Sequence, residues 1–464
     1  FSSRRRHTRY GTVTGVQTCA LPISRLPRRE QIDDGIQVVA RAVPLVIDVS
    51  ERGSICRVLG HHFKLTTNPW RSLRSSLDCE MNASSATLAY FDHAATAPMR
   101  HEAIEAMRPY LDVQFANPSG SHRFSRSARQ VVDEARDDVA DVLGCAPGEV
   151  VFTSGGTEAD NAAIFGAVRR HGGVAVCSAA EHHAVLHCVE HLRGEVVGVD
   201  RNGVINLDAL AATLAAVTAR DQRVSVVSVM AVNNEVGSIT PMRDIARTVR
   251  AGAPGAVLHS DAVQAACWLD VRDVVLVTDV VSLSAHKFGG PKGMGVMVQK
   301  SGITLEPLIM GGGQERDRRS GTTNVAGIVA TAAALRATMK QRESETKRVA
   351  ELKARLVAGI TSQLPDVIQT VPSPASVAGI AHFCVADVES EALLFLLDEA
   401  GVCASAASAC ASGAMEPSHV LRAMGVEPRL SKGALRLSLG HTTTSAEVER
   451  ATEVIVASVQ RLRR

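Results

Sequence analysis

Residues 279–293 read DVVSLSAHKFGGPKG, an apolar run that ends in the pair His286 and Lys287 and a glycine–proline turn. Similar Val- and Ile-rich runs lie upstream and alternate with stretches that have the period of amphipathic helices. They are EVVFT at 149–153, GVAVCS at 173–178, RVSVVSVMAV at 223–232 and AVLHSD at 256–261. Apolar strands that alternate with helices are typical of a mostly parallel sheet covered on both faces. The sequence therefore predicts an α/β domain that runs to about residue 305.

The pattern changes after the three glycines at 311–313. A helix rich in Ala, Arg and Glu is predicted from Val325 to Gln363, before Pro365, and its length indicates a bridge between domains. A smaller α+β unit is predicted beyond it, with strand candidates at 377–385 and 434–439 and helices at 389–400 and 444–463. We therefore predict a large domain at 81–305, followed at 306–464 by the interdomain helix and a small C-terminal domain.

The first 80 residues differ from the rest. The chain begins with Phe1, has no methionine before Met81, and shows no sustained helical or strand period up to Glu80. We predict a non-native or disordered leader at 1–80. This segment holds 13 Lys or Arg and 7 Asp or Glu, so the remaining chain has 37 basic and 41 acidic residues rather than 50 and 48. That balance gives no support to nucleic-acid binding.

Composition indicates an ordinary globular protein. Of 464 residues, 45% are hydrophobic and 21% charged, which allows a large core and more than one domain. No run reaches the roughly 18 apolar residues that a membrane span needs, and no signal peptide is recognisable, so we expect a cytoplasmic protein. Ten cysteines are too sparse for a disulfide scaffold and are predicted to be thiols.

Lys287 and Asp261 are each predicted to follow a strand, where ligands of open α/β sheets bind. A lysine in a partly dry site can lose its proton and form a Schiff base with an aldehyde cofactor. A carboxylate at the end of the neighbouring strand can pair with a protonated pyridine nitrogen, as pyridoxal phosphate requires. Taken alone, Lys287 is better explained as a surface lysine at a strand end, and Asp261 can equally be a helix N-cap. Together they favour the cofactor.

A phosphate cradle is predicted in FTSGGTEADN at 152–161, where Gly155 and Gly156 follow a strand and Thr157 opens a helix. Such a turn is also common without a ligand. The segment lacks the P-loop lysine and the full GxGxxG spacing, which argues against nucleotide cofactors.

EHHAVLH at 181–187 sets His183 and His187 at a spacing compatible with a metal, but a third ligand and a general base are missing. We therefore predict no metal site, and interpret His182 as an aromatic lid on a planar cofactor. Asn233 and Asn234 follow another strand and are either turn formers or hydrogen-bond partners of a ligand.

In this order, these segments resemble the cysteine desulfurase family of the class V aminotransferase fold, over essentially all of residues 88–464. The motifs are FDHAATAP at 91–98, NPSGSHRFS at 117–125, SGGTEADN at 154–161, EHHAVL at 181–186, VNNEVG at 232–237, SDAVQ at 260–264, SAHKFGGPKG at 284–293, RRSGTTN at 318–324 and SACAS at 408–412. The resemblance implies fold type I of the pyridoxal-phosphate-dependent transferases. This is a large domain with a mostly parallel, seven-stranded-type sheet and a smaller α+β C-terminal domain.

The same resemblance implies the roles of the site residues. Lys287 would carry pyridoxal 5'-phosphate, Asp261 would pair with its pyridine nitrogen and His182 would stack on its ring. Gln264 and Asn234 would lie near the phenolic oxygen, and Arg436, with Asn234, would bind the substrate. His182 and Lys287 would transfer protons. The phosphate would be held by Gly156, Thr157, Ser284 and His286, with Thr322 of the partner subunit in a homodimer.

The nucleophile is predicted in VCASAASACASGAMEPSHVLRAMG at 402–425, which resembles the long-loop branch of NifS- and IscS-like proteins. Cys410 would attack the substrate sulfur as a thiolate and carry it as a persulfide to an acceptor. Ala407 stands where the family usually has glycine, which bears on loop flexibility. Cys403 is predicted to be a strand residue, and a redox pair with Cys410 is disfavoured in a reducing compartment.

The expected activity is conversion of L-cysteine to L-alanine, with sulfur passed to an acceptor such as an iron–sulfur scaffold or a tRNA-thiolation factor. Neither nucleic acid nor a membrane is expected as a partner. One rival is an aminotransferase or a selenocysteine lyase, which the thiol at Cys410 disfavours. The other is a non-catalytic scaffold subunit, which has no need for Lys287, Asp261 and Cys410 together.

Overall fold

The computed structural model describes residues 46–50, 53–58, 61–64, 88–406 and 418–464. The chain divides into two units, Phe1–Glu80 and Met81–Arg464. No helix in these described ranges is long and apolar enough to cross a membrane.

The first unit contains an antiparallel sheet of three strands, β1 Val46–Ser50, β2 Gly53–Val58 and β3 His61–Lys64. The sequence shows no sustained strand period before Glu80, so these three strands were not predicted from it. They have five, six and four residues, too few for such a period to be recognised. The assignment of 1–80 as a leader foreign to the natural protein stays a prediction.

A seven-stranded sheet forms the centre of the second unit, in the order β5-β11-β10-β9-β8-β6-β7. All neighbouring pairs are parallel except those that β11 makes with β5 and β10. The strands are β5 Val150–Thr153, β6 Val174–Ser178, β7 Glu195–Val197, β8 Val224–Ser228, β9 Val257–Asp261, β10 Val280–Ser284 and β11 Gly295–Gln299. The mostly parallel sheet predicted from the apolar runs is confirmed.

The helices cover this sheet with apolar faces. Their bounds are α1 His101–Met107, α2 Pro109–Asp112, α3 Arg123–Leu143, α4 Gly156–His171, α5 His183–His191, α6 Leu207–Ala219, α7 Met242–Gly252 and α8 Val271–Val277. In α3, Val132, Ala135 and Val139 recur at helical spacing and are buried. His122 caps its start and Gly144, at φ 67°, ends it in the left-handed conformation.

Helix α9, Val325–Gln363, connects two cores and is about 58 Å long at 1.5 Å per residue. Its first half, around Leu335, packs in the core of the seven-stranded sheet, and its second half, around Leu356, packs in a second core. Asn324 caps its start by accepting a hydrogen bond from the Gly327 amide. The bounds are those predicted from the sequence.

The second core belongs to a smaller α+β layer. Its remaining elements are β12 Ile368–Gln369, β13 Ile380–Cys384, α10 Ser390–Glu399, β14 Val402–Cys403, α11 His419–Ala423, α12 Pro428–Ser431, β15 Ala434–Ser438 and α13 Ser445–Leu462. Strand β14 pairs in parallel with β4, Ala89–Tyr90, and Phe91 is buried in the same core. Strand β4 therefore packs with the small domain, although the sequence places it in the large domain at 81–305. Its partner strand lies more than 300 residues away in the chain.

Candidate active site

A cavity of about 400 Å³ opens at the carboxyl ends of the central strands. This volume suits a cofactor-sized ligand. Residues from both cores line it, since Arg436 lies on β15 and Asp261 on β9. The predicted site residues that line it are Gly156, Thr157, His182, Asn234, Asp261, Gln264, Ser284, His286, Lys287 and Arg436.

Lys287 lies in a short 3₁₀ turn, Ala285–Lys287, directly after β10. Its Nζ donates hydrogen bonds to the carbonyl oxygens of Ala94 and Ala95, at 2.6 and 2.9 Å. Burial, and then the nearby charge of Arg436, lower the pKa of this lysine to about 8. Its amine therefore loses a proton far more easily than that of an exposed lysine.

Asp261 ends β9 and is 4% exposed. Its Oδ1 accepts a hydrogen bond from the Val263 amide at 2.8 Å, so the carboxylate closes a tight turn. Burial raises its pKa. Two further carboxyl groups, Asp160 and Glu181, are also buried, and burial and the charge of Asp261 raise the pKa of each. A protonated ring nitrogen would relieve this accumulation of buried negative charge, so the residues fit a pyridinium cofactor.

His182 precedes α5, and its Nδ1 accepts a hydrogen bond from the Ala184 amide at 3.1 Å. Its ring lines the cavity and is exposed to solvent there. Burial, and then Lys287, lower its pKa to about 4, so the imidazole is neutral at physiological pH. A neutral, flat ring held in this way suits stacking on a planar cofactor.

The predicted phosphate cradle forms at the start of α4. A Cβ added to Gly156 would lie 2.7 Å from Val263 Cγ2, so only glycine lets the chain pass this close. Thr157 and Ser284 border the same space, which faces the backbone N–H groups at the N-terminus of a 16-residue helix. His286 Nδ1 lies 3.2 Å from Thr96 Oγ1. These donors suit a phosphate group.

Arg436 is 4% exposed and lines the same cavity as Lys287. It forms an ion pair with Asp92 at 2.8 Å and donates from Nη1 to the Asn234 carbonyl oxygen at 2.8 Å. Its Nε has no hydrogen-bond partner among the described residues. A buried, unpaired N–H on a guanidinium suits the carboxylate of a ligand.

Asn233 and Gln264 are fixed by the fold. Asn233 is buried, and its side chain accepts hydrogen bonds from the Glu235 and Val236 amides, so it forms the turn that presents Asn234. Gln264 Nε2 donates to the Ala94 carbonyl oxygen at 2.8 Å. Of the two roles open to the asparagines, Asn233 has the structural one and Asn234 lines the cavity.

Two predicted residues are not brought to this cavity within the described chain. Thr322 lines a separate depression with Met294 and Asn324. The resemblance assigns Thr322 to the partner's site, and that assignment stays a prediction. Cys410 lies outside the described residues. The chain on either side is held near the cavity, because Ser405 lines it and Ser418 donates a hydrogen bond to the buried Glu235.

Sequence reasoning missed several residues of the site. Asp92 pairs with Arg436, Asp160 lines the cavity and Glu181 lies buried behind it. All three stand inside motifs that were quoted for the resemblance, but their roles depend on contacts between distant segments. A charged residue within an otherwise apolar or glycine-rich motif is the signal that could have identified them.

Comparisons with known proteins agree with this geometry. Residues 89–451 match the family model described as aminotransferase class-V. The chain is 42% identical to an IscS-like cysteine desulfurase of Mycobacterium tuberculosis over 390 residues, which covers 81% of this chain and 98% of that protein. It is 38% identical to the cysteine desulfurase IscS of Methanosarcina thermophila, and the match covers 81% of this chain and 92% of that protein.

Solved structures give the same result. A NifS-like protein superposes with a TM-score of 0.73 at 32% identity, covering 81% of this chain and 100% of that one. A structure described as SspA in complex with cysteine superposes with a TM-score of 0.63 at 28% identity. The match covers 76% of this chain and 98% of that one. Fold and site together define a pyridoxal-phosphate-dependent enzyme of fold type I. The chain belongs to the cysteine desulfurase family, within the class V aminotransferases.

Proposed function

We propose that this protein is a cysteine desulfurase that converts L-cysteine to L-alanine and retains the sulfur as a persulfide on Cys410. The observation that carries the proposal is the cavity that Lys287, Arg436 and Asp261 line together. Arg436 has an unpaired N–H for a substrate carboxylate, and the depressed pKa of Lys287 suits an amine that must work near neutral pH.

Each residue has a role that follows from its position. Pyridoxal phosphate, when bound, withdraws electrons from the substrate Cα. Arg436 orients the substrate through its carboxylate, and Lys287 removes and returns protons at the reacting carbon. His182 covers the ring face, and Asp261 keeps the pyridine nitrogen protonated.

The sulfur step balances without an added oxidant. The Cys410 thiolate attacks the substrate sulfur, an S–S bond forms, and the C–S bond breaks with its electron pair left on carbon. That carbon takes up one proton to become the methyl group of alanine. Cys410 is oxidised to the persulfide while the substrate carbon is reduced.

Support for the reach of Cys410 comes from the ends of its loop. Ser405 forms paired backbone hydrogen bonds with Arg436, at 2.6 and 3.2 Å, on the wall of the cavity. Five residues of extended chain span up to about 17 Å, so a thiol five positions beyond Ser405 can reach the substrate and turn outward.

We also propose a homodimer in which Thr322 reaches the cavity of the partner. Leu111, Val113 and Phe115, at alternate positions of one short segment, are 61, 68 and 71% exposed, which is unusual for a free surface. Thr322 lines a separate depression of its own chain and not the cavity. The sulfur acceptor is proposed to be a cytoplasmic protein, either an iron–sulfur scaffold or a tRNA-thiolation factor.

Turnover of the cofactor-loaded full chain tests the function. With L-cysteine and a reductant, we expect equal amounts of alanine and sulfide. An aminotransferase would instead need a keto acid and would release no sulfide. A selenocysteine lyase would act on selenocysteine but not on cysteine. A scaffold subunit would give no product with either substrate, which would overturn the proposal.

A further inference from the structure

Three histidine rings from two helices contact one another outside the catalytic cavity. His183 and His187 of α5 are stacked, with ring centroids 4.7 Å apart. His419, the first residue of α11, lies 4.4 Å from His183, also centroid to centroid. His187 is exposed and the other two rings are partly exposed, so an ion from solvent can reach them.

The hydrogen bonds of this cluster leave imidazole nitrogens available. His419 Nε2 lies 2.8 Å from the Glu181 carbonyl oxygen. A carbonyl only accepts, so Nε2 carries the proton and Nδ1 keeps a lone pair. This support by a backbone carbonyl is typical of histidines that bind metals. Within the described residues, the ring nitrogens of His183 and His187 have no hydrogen-bond partner.

Two carboxyl groups, Glu235 and Glu190, lie close enough to His183 to act on it electrostatically, and their negative charge would offset part of the charge of a bound ion.

We propose that His183, His187 and His419 bind one divalent cation of the zinc type, such as Zn²⁺ or Ni²⁺. Imidazole nitrogen is a preferred ligand of these ions, and two histidines four residues apart on a helix can bind one jointly. The third ligand, which the local sequence lacks, is supplied by the fold as His419. As the side chains now lie, no group of three or more His, Cys, Asp or Glu among the described residues could hold a metal ion, so binding requires a ring rotation, which the exposed His187 permits.

A cation in this position would tie α5 to α11. Helix α5 follows His182, the ring that faces the cofactor cavity, and α11 follows Ser418, which is anchored on Glu235. The ion would thus stabilise one corner of the active-site wall. None of the three proposed ligands is assigned a part in the proposed reaction, so the site stands whether or not that reaction is correct.

Zinc binding to the tag-free, metal-free full chain tests this site. Every protein carries Cys410→Ala, so that the predicted nucleophile cannot serve as a ligand. Calorimetric titration with Zn²⁺ should show one saturable site per chain in this parent. His187→Ala and His419→Gln should each weaken binding at least about tenfold, since each removes a ligand. His101→Ala, which changes an exposed histidine on α1, should bind as the parent does.

Thermal unfolding gives a second readout. Zn²⁺ should raise the unfolding temperature of the parent and of His101→Ala, but not that of His187→Ala, because an ion stabilises only the state that binds it. The proposal is overturned if the parent shows no saturable zinc binding, or if His187→Ala and His419→Gln bind zinc as tightly as the parent.

Discussion

Lys287 shows how a single residue is prepared for reaction by its surroundings. Burial and the charge of Arg436 lower the pKa of its ammonium group. The negative charges of Asp261 and Asp92 offset this lowering only in part. With a pKa of about 8, roughly a tenth of the amine is neutral at pH 7, against fewer than about one in a thousand at the ordinary value.

The depressed pKa of Lys287 predicts how cofactor uptake depends on pH. Only the neutral amine forms a bond with the aldehyde, so uptake by the cofactor-free chain should rise about tenfold from pH 7 and level off above about 8. Stopped-flow absorbance of the bound cofactor measures this rate. Lys287→Ala should show no such band, and a rate that keeps rising to pH 10 would contradict the lowered pKa.

Arg436→Lys should weaken substrate binding selectively. Lysine keeps the charge but loses the planar fork, so KM for L-cysteine should rise about 10- to 100-fold with little change in kcat. Arg429→Lys, at an exposed position of α12, is the matched control and should leave both constants unchanged. An unchanged KM in Arg436→Lys would remove Arg436 from the substrate site.

For individual residues, the sequence predicts which side chains line the active-site cavity but not which other side chains they contact there. Lys287 and Asp261 were found because each follows an apolar strand, and the fold brings both to one cavity. The partnership of Asp92 with Arg436 joins residues 344 positions apart, which no local pattern encodes. Thr322 and Cys410 stay predictions, the first because it needs a partner chain.

Among the elements, α9 links the two cores and carries a buried lysine. Lys353 is 2% exposed and donates hydrogen bonds to Ser376 Oγ and the Val377 carbonyl oxygen, at 2.7 and 2.9 Å. Val377 in turn donates through its amide to the Gly237 carbonyl oxygen, which belongs to the turn that presents Asn234. The lysine thus supports a wall of the active site from behind.

Lys353→Met should lower the free energy of unfolding by about 2 kcal/mol, because two buried acceptors lose a charged donor. Lys347→Met, at an exposed position of the same helix, serves as its control and should be neutral. Denaturant unfolding of both variants measures the difference. Equal stability of the two would show that the burial cost of the ammonium cancels its hydrogen bonds.

Elements with long periods or long apolar runs were predictable, and short ones were not. The five apolar runs singled out in the sequence each form a central strand, and α9 has the bounds predicted for it. The sequence did not mark β7, with three residues, or β11, which begins at Gly295. Gly295 is required there because a Cβ would lie 2.6 Å from Thr153 Oγ1, a contact that only the folded sheet defines.

The whole molecule is proposed to act as a dimer, which places the exposed apolar segment around Phe115 in an interface. Phe115→Glu should therefore convert the dimer to a monomer, since a charge there would be buried without a partner. Phe395→Glu changes a similarly exposed phenylalanine on α10 and should leave the dimer intact. Sedimentation velocity distinguishes the two. A parent that sediments as a monomer would contradict the dimer.

Sulfur capture by Cys410 is the central claim, and mass spectrometry after a single turnover tests it most directly. In the cofactor-loaded parent treated with L-cysteine, Cys410 should carry one extra sulfur atom for each alanine formed. Cys403→Ala should behave in the same way, and Cys410→Ala should form neither persulfide nor alanine. Alanine formation that persists in Cys410→Ala would contradict the account and assign the chain to a lyase mechanism.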